Sequence, residues 1–448
     1  MIKYFFTLYC LLFFGSSFSQ VTIKCEHLIY DKAALYSLEG EKSSFIDSIS
    51  LTDQNEFQFY LDNRHYGLYR LEFNKNQSLY FLYDNEAIEI KTGANNNPDS
   101  VDVIKSESNK IYYHFIKLNK EYKTKSELLQ LILARYPDID DYYNQTKTKL
   151  IQIQKDYLNF VNVTSQKDPD SFIAKYVHYA QLPVVNPDIP SDKQLDYLKS
   201  HALDKVNFND AEFIYSDLFT NKTIEYLSYY RNRQLPVGLL EKEFMTAIDT
   251  ILGKAKVNQL VYQQIVEYLL DGFKKYGFDK VIDYIVNNYV IKDNLCLGEK
   301  FGSALERRID QAKNFKAGET VPDIIIPDST GKSIDLDKIN SDKTLILFYA
   351  SWCPHCQALI PKLKEINSEL EQKNTHVLAI SIDTSKIEWL KFVKRNNLNW
   401  LNVSDQQGWD GEAAMDYYVY ATPTMFLVDK DKKLISIPRS IDELKKDL

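Results

Sequence analysis

The residues of this chain best suited to chemistry are Cys353 and Cys356, separated by Pro354 and His355 and preceded by Trp352. The apolar run Thr344–Tyr349 leads into them through Ala350 and Ser351, and the residues that follow can continue as a helix. A cysteine at the start of a helix faces unpaired backbone N–H groups and the positive end of the helix dipole, and both favour thiolate. Pro354 suits the first helical position because it has no N–H to lose. A two-residue gap lets Cys356 reach back to a mixed disulfide formed at Cys353. The spacing therefore assigns Cys353 as nucleophile and Cys356 as resolving thiol in thiol–disulfide exchange. His355 adds a donor or positive charge beside the Cys353 sulfur and is expected to tune it. Trp352 is expected to pack and to cap the site.

Competing readings are weaker. A Cys-x-x-Cys pair supplies half of a zinc site, but no second such pair and no histidine pair at ligand spacing accompanies it, so no metal is expected. His27, His65, His114, His178, His201 and His376 are scattered. A peroxidase would rest on an isolated cysteine. Asp383, at the end of an apolar segment, reads as a helix cap rather than a catalytic acid. Cys25 and Cys296 can pair, stay free or bridge to another chain, which sequence alone does not decide.

The elements around the cysteine pair alternate strand and helix. Thr344–Tyr349 is followed by a helix from Cys353, a strand over His376–Ile382 and a helix near Ser385–Asn396. Strands at Thr424–Val428 and Lys433–Ile437 and a short terminal helix complete it, implying a sheet covered by helices.

These residues resemble the thioredoxin superfamily. The Trp-Cys-x-x-Cys helix, Pro361 within it, and Ala421–Thr422–Pro423–Thr424 leading into a strand carry the likeness. The lead-in Lys316–Asp323 is similar to that of exported TlpA-like oxidoreductases. The resemblance implies a cis Pro423 whose loop faces the cysteines, with Thr422 offering backbone to a substrate chain. It implies no bound cofactor. Two positions depart from the pattern: Leu347 stands where thioredoxin has a buried Asp, and Leu359 where many TlpA-like reductases have Glu. Both carboxylates help move the proton of the buried thiol, so their absence bears on reductive efficiency. The Cys-Pro-His-Cys tetrapeptide matches that of strongly oxidising DsbA-like enzymes, which leaves the direction of exchange open.

With 448 residues the chain exceeds one ordinary core. Its make-up, 44% hydrophobic and 26% charged with net charge −8, is that of a globular protein without a basic surface for nucleic acid. Lys3, the apolar run Tyr4–Phe14 and the small residues Ser17 and Ser19 read as a signal peptide over residues 1–19. Cys10 lies inside that run, without a lipoprotein cleavage pattern, so no permanent membrane anchor is expected. From 20 to 105 short runs such as Glu56–Leu61, Gly67–Phe73, Leu79–Tyr83 and Ala87–Lys91, parted by Asp, Asn and Gly, predict a β-rich accessory domain. The polar tract Thr92–Pro98 reads as the loop that ends its strands. From 106 to 315 the signal is helical; Val257, Leu260, Val261, Ile265, Tyr268, Leu269 and Phe273 share one helical stripe that Gly277 can stop.

The expected fold class is multidomain α+β: a β-rich sandwich-like domain, a helical middle domain, and an α/β thioredoxin-like domain over 316–448. The expected function is a thiol–disulfide oxidoreductase, periplasmic or otherwise exported, acting as a reductase. Its partners would be cysteine-containing envelope proteins and an upstream thiol–disulfide electron donor. Alternatives are an oxidase or isomerase using the same cysteines, and a partner-binding protein whose redox domain is accessory.

Overall fold

The computed structural model describes residues 20–25, 30–93, 100–295, 297 and 303–448. The signal-peptide segment, His27 and Cys296 lie outside the described residues. The chain divides into two compact units, Met1–Ile282 and Asp283–Leu448.

The first unit opens with strands β1 (Gln20–Cys25), β2 (Lys32–Glu39), β3 (Lys42–Ser50), β4 (Glu56–Tyr60), β5 (Gly67–Asn74), β6 (Gln77–Tyr83), β7 (Ile88–Thr92) and β8 (Val101–Lys105). They form two four-stranded sheets, ordered β4-β1-β7-β8 and β3-β2-β5-β6. Alternation decides the inward faces: Val21, Ile23, Phe57 and Phe59 from one sheet meet Leu35, Tyr69, Leu71 and Phe81 from the other in a shared core. Asn55, Asn63 and Asn85 take positive φ between strands, the turn chemistry that asparagine tolerates.

Helices follow: α1 (Glu107–Arg135), α2 (Asp141–Lys167), α3 (Phe172–Ala180), α4 (Ser191–His201), α5 (Leu218–Ser228), α6 (Val237–Ala255) and α7 (Gln259–Tyr276). Ser106 caps α1 by accepting from the Asn109 N–H. That helix also closes an open sheet edge. Asn109 accepts from the Leu82 N–H at 2.8 Å and donates to the Leu82 carbonyl at 2.7 Å. The β-rich and helical segments thus form one unit. At Gly67, φ +145°, a Cβ would lie 2.3 Å from the Tyr215 carbonyl oxygen, so only glycine fits where β5 meets the turn Ala211–Tyr215.

The predicted stripe on α7 needs one correction. Val261, Ile265, Leu269 and Phe273 are buried, whereas Val257 and Leu260 are exposed. Asn258 caps the helix at its side chain, so Val257 precedes it and Leu260 sits in its first turn. Gly277 ends α7 in the left-handed conformation, φ 71°, as expected.

Next come α8 (Asp279–Ile285), which crosses the boundary between units, and a π-helical turn over Val286–Ile291. The second unit continues with α9 (Ser303–Asn314), the hairpin β9 (Ile325–Pro327) and β10 (Ser333–Asp335), then β11 (Lys343–Tyr349), α10 (Pro354–Glu365), α11 (Asn367–Gln372), β12 (Thr375–Ser381), α12 (Lys386–Asn396), β13 (Leu401–Val403), α13 (Glu412–Asp416), β14 (Thr424–Asp429), β15 (Leu434–Ser436) and α14 (Ile441–Asp447). Its sheet is ordered β13-β12-β11-β14-β15, with β12 parallel and β14 antiparallel to β11. Leu345 to Tyr349 are all fully buried rather than alternating, because the central strand is covered on both faces. The order β-rich, helical, thioredoxin-like α/β is the one expected from sequence.

Candidate redox site

The site forms where the central strand ends. Cys353 is the N-cap of α10, with φ −82° and ψ 117°, and Pro354 occupies the first helical turn. The parallel register pairs Tyr349 with Ser381, and the antiparallel register pairs Phe348 with Thr424. The sheet therefore delivers two distant segments to the cysteine turn: the residues after Ser381 on one side, and the Thr422–Pro423 loop on the other.

The Thr422–Pro423 bond is cis, as the resemblance implied, and the Cys353 thiol donates to the Thr422 carbonyl at 3.1 Å. Both cysteines are free thiols, and Cys356 has no solvent exposure. Burial alone would push the Cys353 thiol up. Hydrogen bonds to its sulfur from the Thr422 side chain, from Cys356 and from the His355 backbone outweigh that, so it is held below its ordinary value. Burial dominates at Cys356, whose thiol is pushed up to about 12. The two thiols are thereby separated into one that ionises more readily and a partner that keeps its proton.

On the other side, Asp383 is buried and takes a set of donors: the Ser351 N–H at 3.0 and 3.2 Å, the Ser351 hydroxyl at 2.7 Å and the Ser381 hydroxyl at 2.6 Å. This corrects the expected helix cap, since Ser385 caps α12. Asp383 instead fastens the turn at Ser351, two residues before Cys353. Gln357 closes the same turn by donating to the Ser351 carbonyl at 2.9 Å. Sequence reasoning did not anticipate this clamp; an Asp closing an apolar strand was the available signal, and its partner Ser351 is 32 residues away.

The remaining expected residues are placed as follows. His355 is exposed and reaches the nucleophile through its backbone N–H. Trp352 is 57% exposed, so it lies at the rim and is not packed as expected. Leu347 is fully buried and Leu359 packs against the core, leaving apolar side chains where related enzymes have carboxylates. Cys25 is a free thiol pushed up to about 12 by burial.

A pH dependence follows. With the Cys353 pKa lowered, its thiolate fraction at about pH 8 exceeds that of an ordinary thiol, while a thiol near 12 holds only about 10⁻⁴ as thiolate there. Iodoacetamide at that pH is expected to label Cys353 in the reduced protein and to spare Cys356 and Cys25, as read by mass spectrometry. Labelling of Cys353 should rise with pH up to its own pKa and then level off. Equal labelling of Cys353 and Cys356 would contradict this assignment.

The chain is similar to several known proteins. Residues 317–437 match the model of the AhpC/TSA family. The thiol-disulfide oxidoreductase ResA of Bacillus thuringiensis subsp. konkukian is 28% identical over 123 residues, covering 28% of this chain and 69% of that protein. A solved thiol-disulfide oxidoreductase from Bacteroides fragilis is 27% identical, covering 29% of this chain and 96% of that one, with a TM-score of 0.27. A thioredoxin-like protein from Bacteroides caccae is 20% identical and covers 59% of this chain and 96% of that one, with a TM-score of 0.37.

Proposed function

We propose that this thiol–disulfide oxidoreductase, whose residues 317–437 match the AhpC/TSA family model, works as a reductase of disulfides in other proteins outside the cytoplasm. The observation that carries the exchange chemistry is geometric: Cys353 stands at the N-cap of α10 with its sulfur against the Thr422 carbonyl beside cis Pro423, and the buried Cys356 lies three residues on, its thiol pushed up to about 12.

The Cys353 thiolate attacks one sulfur of the substrate disulfide. The S–S bond breaks, a mixed disulfide forms at Cys353, and the departing substrate sulfur leaves as thiolate and takes up a proton. Cys356 then loses its proton to solvent or to the leaving sulfur and attacks the Cys353 sulfur. The second substrate thiol is released, and two electrons have passed from the cysteine pair to the substrate. An upstream dithiol must return them, and no further cofactor is called for. The Thr422 backbone would receive the substrate chain, with Trp352, Pro354 and His355 forming the exposed rim. The groups that lower the Cys353 thiol include the His355 backbone N–H and not its imidazole, so the side-chain charge that would favour a strong oxidant is not among them. The apolar amino-terminal run supports export, and no helix among the described residues is long and apolar enough to cross a membrane.

The test is the reduction potential of the full chain, measured by equilibration with glutathione and thiol trapping. A value near about −270 mV is expected, while one near about −120 mV would overturn the reducing direction in favour of disulfide donation.

A further inference from the structure

Helix α9 lies upstream of the matched residues 317–437, yet it belongs to the second unit and its polar side chains converge on the segment that enters the Thr422–Pro423 loop. Arg307 Nη1 donates to the Val419 carbonyl at 3.3 Å and to the Trp409 carbonyl at 2.9 Å, with Asp410 3.8 Å from its guanidinium. Gln311 Nε2, one helical turn on, donates to the carbonyls of Tyr417 and Tyr418 at 3.0 and 3.3 Å. The Arg308 guanidinium lies over the Tyr420 ring, 5.0 Å from its centroid, and is held from behind by Asp283 at 2.6 and 2.7 Å. Four consecutive residues, Tyr417 to Tyr420, are thus gripped from one helix.

The segment needs such support. The short helix α13 ends at Asp416, and beyond it the carbonyls of Tyr417, Tyr418 and Val419 are met by the Gln311 and Arg307 side chains. Tyr418 then turns the chain with φ 47°, a conformation non-glycine residues hold only when their surroundings impose it. Arg307 and Gln311 stand at i and i+4, the spacing that puts both on one face of α9. Gln311 and Arg308 are buried, so these contacts are shielded from competing water. Two residues beyond Tyr420 is Thr422, whose carbonyl touches Cys353.

We propose that α9, through Arg307, Arg308 and Gln311, is a positioning element of the redox site that holds the Thr422–Pro423 loop in the shape a substrate polypeptide docks on. This rests on the reductase reading, and it locates substrate affinity partly outside the thioredoxin-like domain. The three side chains are positioning residues, not catalytic ones, because they act through the loop backbone.

The test uses the full chain reduced with dithiothreitol and two oxidants: insulin, which must dock, and a small aromatic disulfide, which reaches Cys353 without the loop. Arg307→Met, a partly exposed position, is expected to raise KM for insulin about tenfold with kcat within about twofold, while the small disulfide, which feels the loop only through the Thr422 contact to Cys353, loses at most about twofold. Arg307→Lys, which retains a donor, should recover part of the loss. Gln311→Met should behave as Arg307→Met does and serves if that variant unfolds, as judged by circular dichroism. An unchanged KM in folded variants, or equal losses with both oxidants, would overturn the brace. A wild-type protein that reduces neither oxidant would instead overturn the reductase reading.

Discussion

Cys356→Ala is expected to stop turnover and to leave Cys353 joined to its substrates. The nucleophile is intact in that variant, with its helix N-terminus and Thr422 contacts, so the first attack still occurs. What is lost is the intramolecular thiol that displaces the mixed disulfide, and a bimolecular rescue by external thiol lacks its high effective concentration. Steady-state reduction should fall by about 10³-fold or more, on the scale seen when one member of a catalytic unit is removed. Cys353→Ala should abolish attack to a similar extent without accumulating adducts, and the double variant should be no worse than either, since the two thiols act as a unit. Non-reducing gels and mass spectrometry of adducts captured from a cell envelope read the outcome. If the Cys356→Ala chain traps nothing under conditions that trap a control oxidoreductase, the proposed exchange with other proteins is wrong.

Removing one carboxylate far from the cysteines should cost the second unit much of its stability. Asp283 accepts from Arg308 through Nε and Nη2, and its other oxygen meets Arg439, while Arg308 and Asp283 side chains are only 9% and 11% exposed. Such a pair gains little over an apolar replacement of both partners, because both charges have been taken out of water. Deleting one partner is different: Asp283→Ala takes from the buried Arg308 guanidinium the carboxylate that meets two of its nitrogens, at a cost of up to about 3–5 kcal/mol. At roughly 2–4 °C per kcal/mol for a unit of this size, the midpoint of its thermal transition should fall by up to about 6–20 °C. Asp283→Leu combined with Arg308→Met should recover a large part of the loss. Calorimetry of the full chain measures both; a fall of under about 1 kcal/mol in the single variant would mean that the pair is solvated and contributes little. The same pair backs the Tyr420 contact, so loss of stability and loss of substrate affinity should appear together in Asp283→Ala but separately in Arg307→Met.

Much of the site could be read directly from the chain because its determinants are local. A buried strand over Thr344–Tyr349, a cysteine at a helix start, a proline in the first turn and a second cysteine three residues on all act within one short stretch. The same holds for the β-rich segment, where alternation and turn asparagines mark each strand, and for α7, whose stripe was legible though its start depended on the Asn258 cap. What the tertiary structure decided is which distant groups meet that stretch. Thr422 comes to Cys353 across 69 positions, Asp383 to Ser351 across 32, and Gln311 to Tyr417 across 106. The physical reason is common to all three. Residue type shows that a carbonyl, a carboxylate or an amide can bond, but sheet register and helix packing choose which backbone groups are left without partners, and so which side chains must satisfy them.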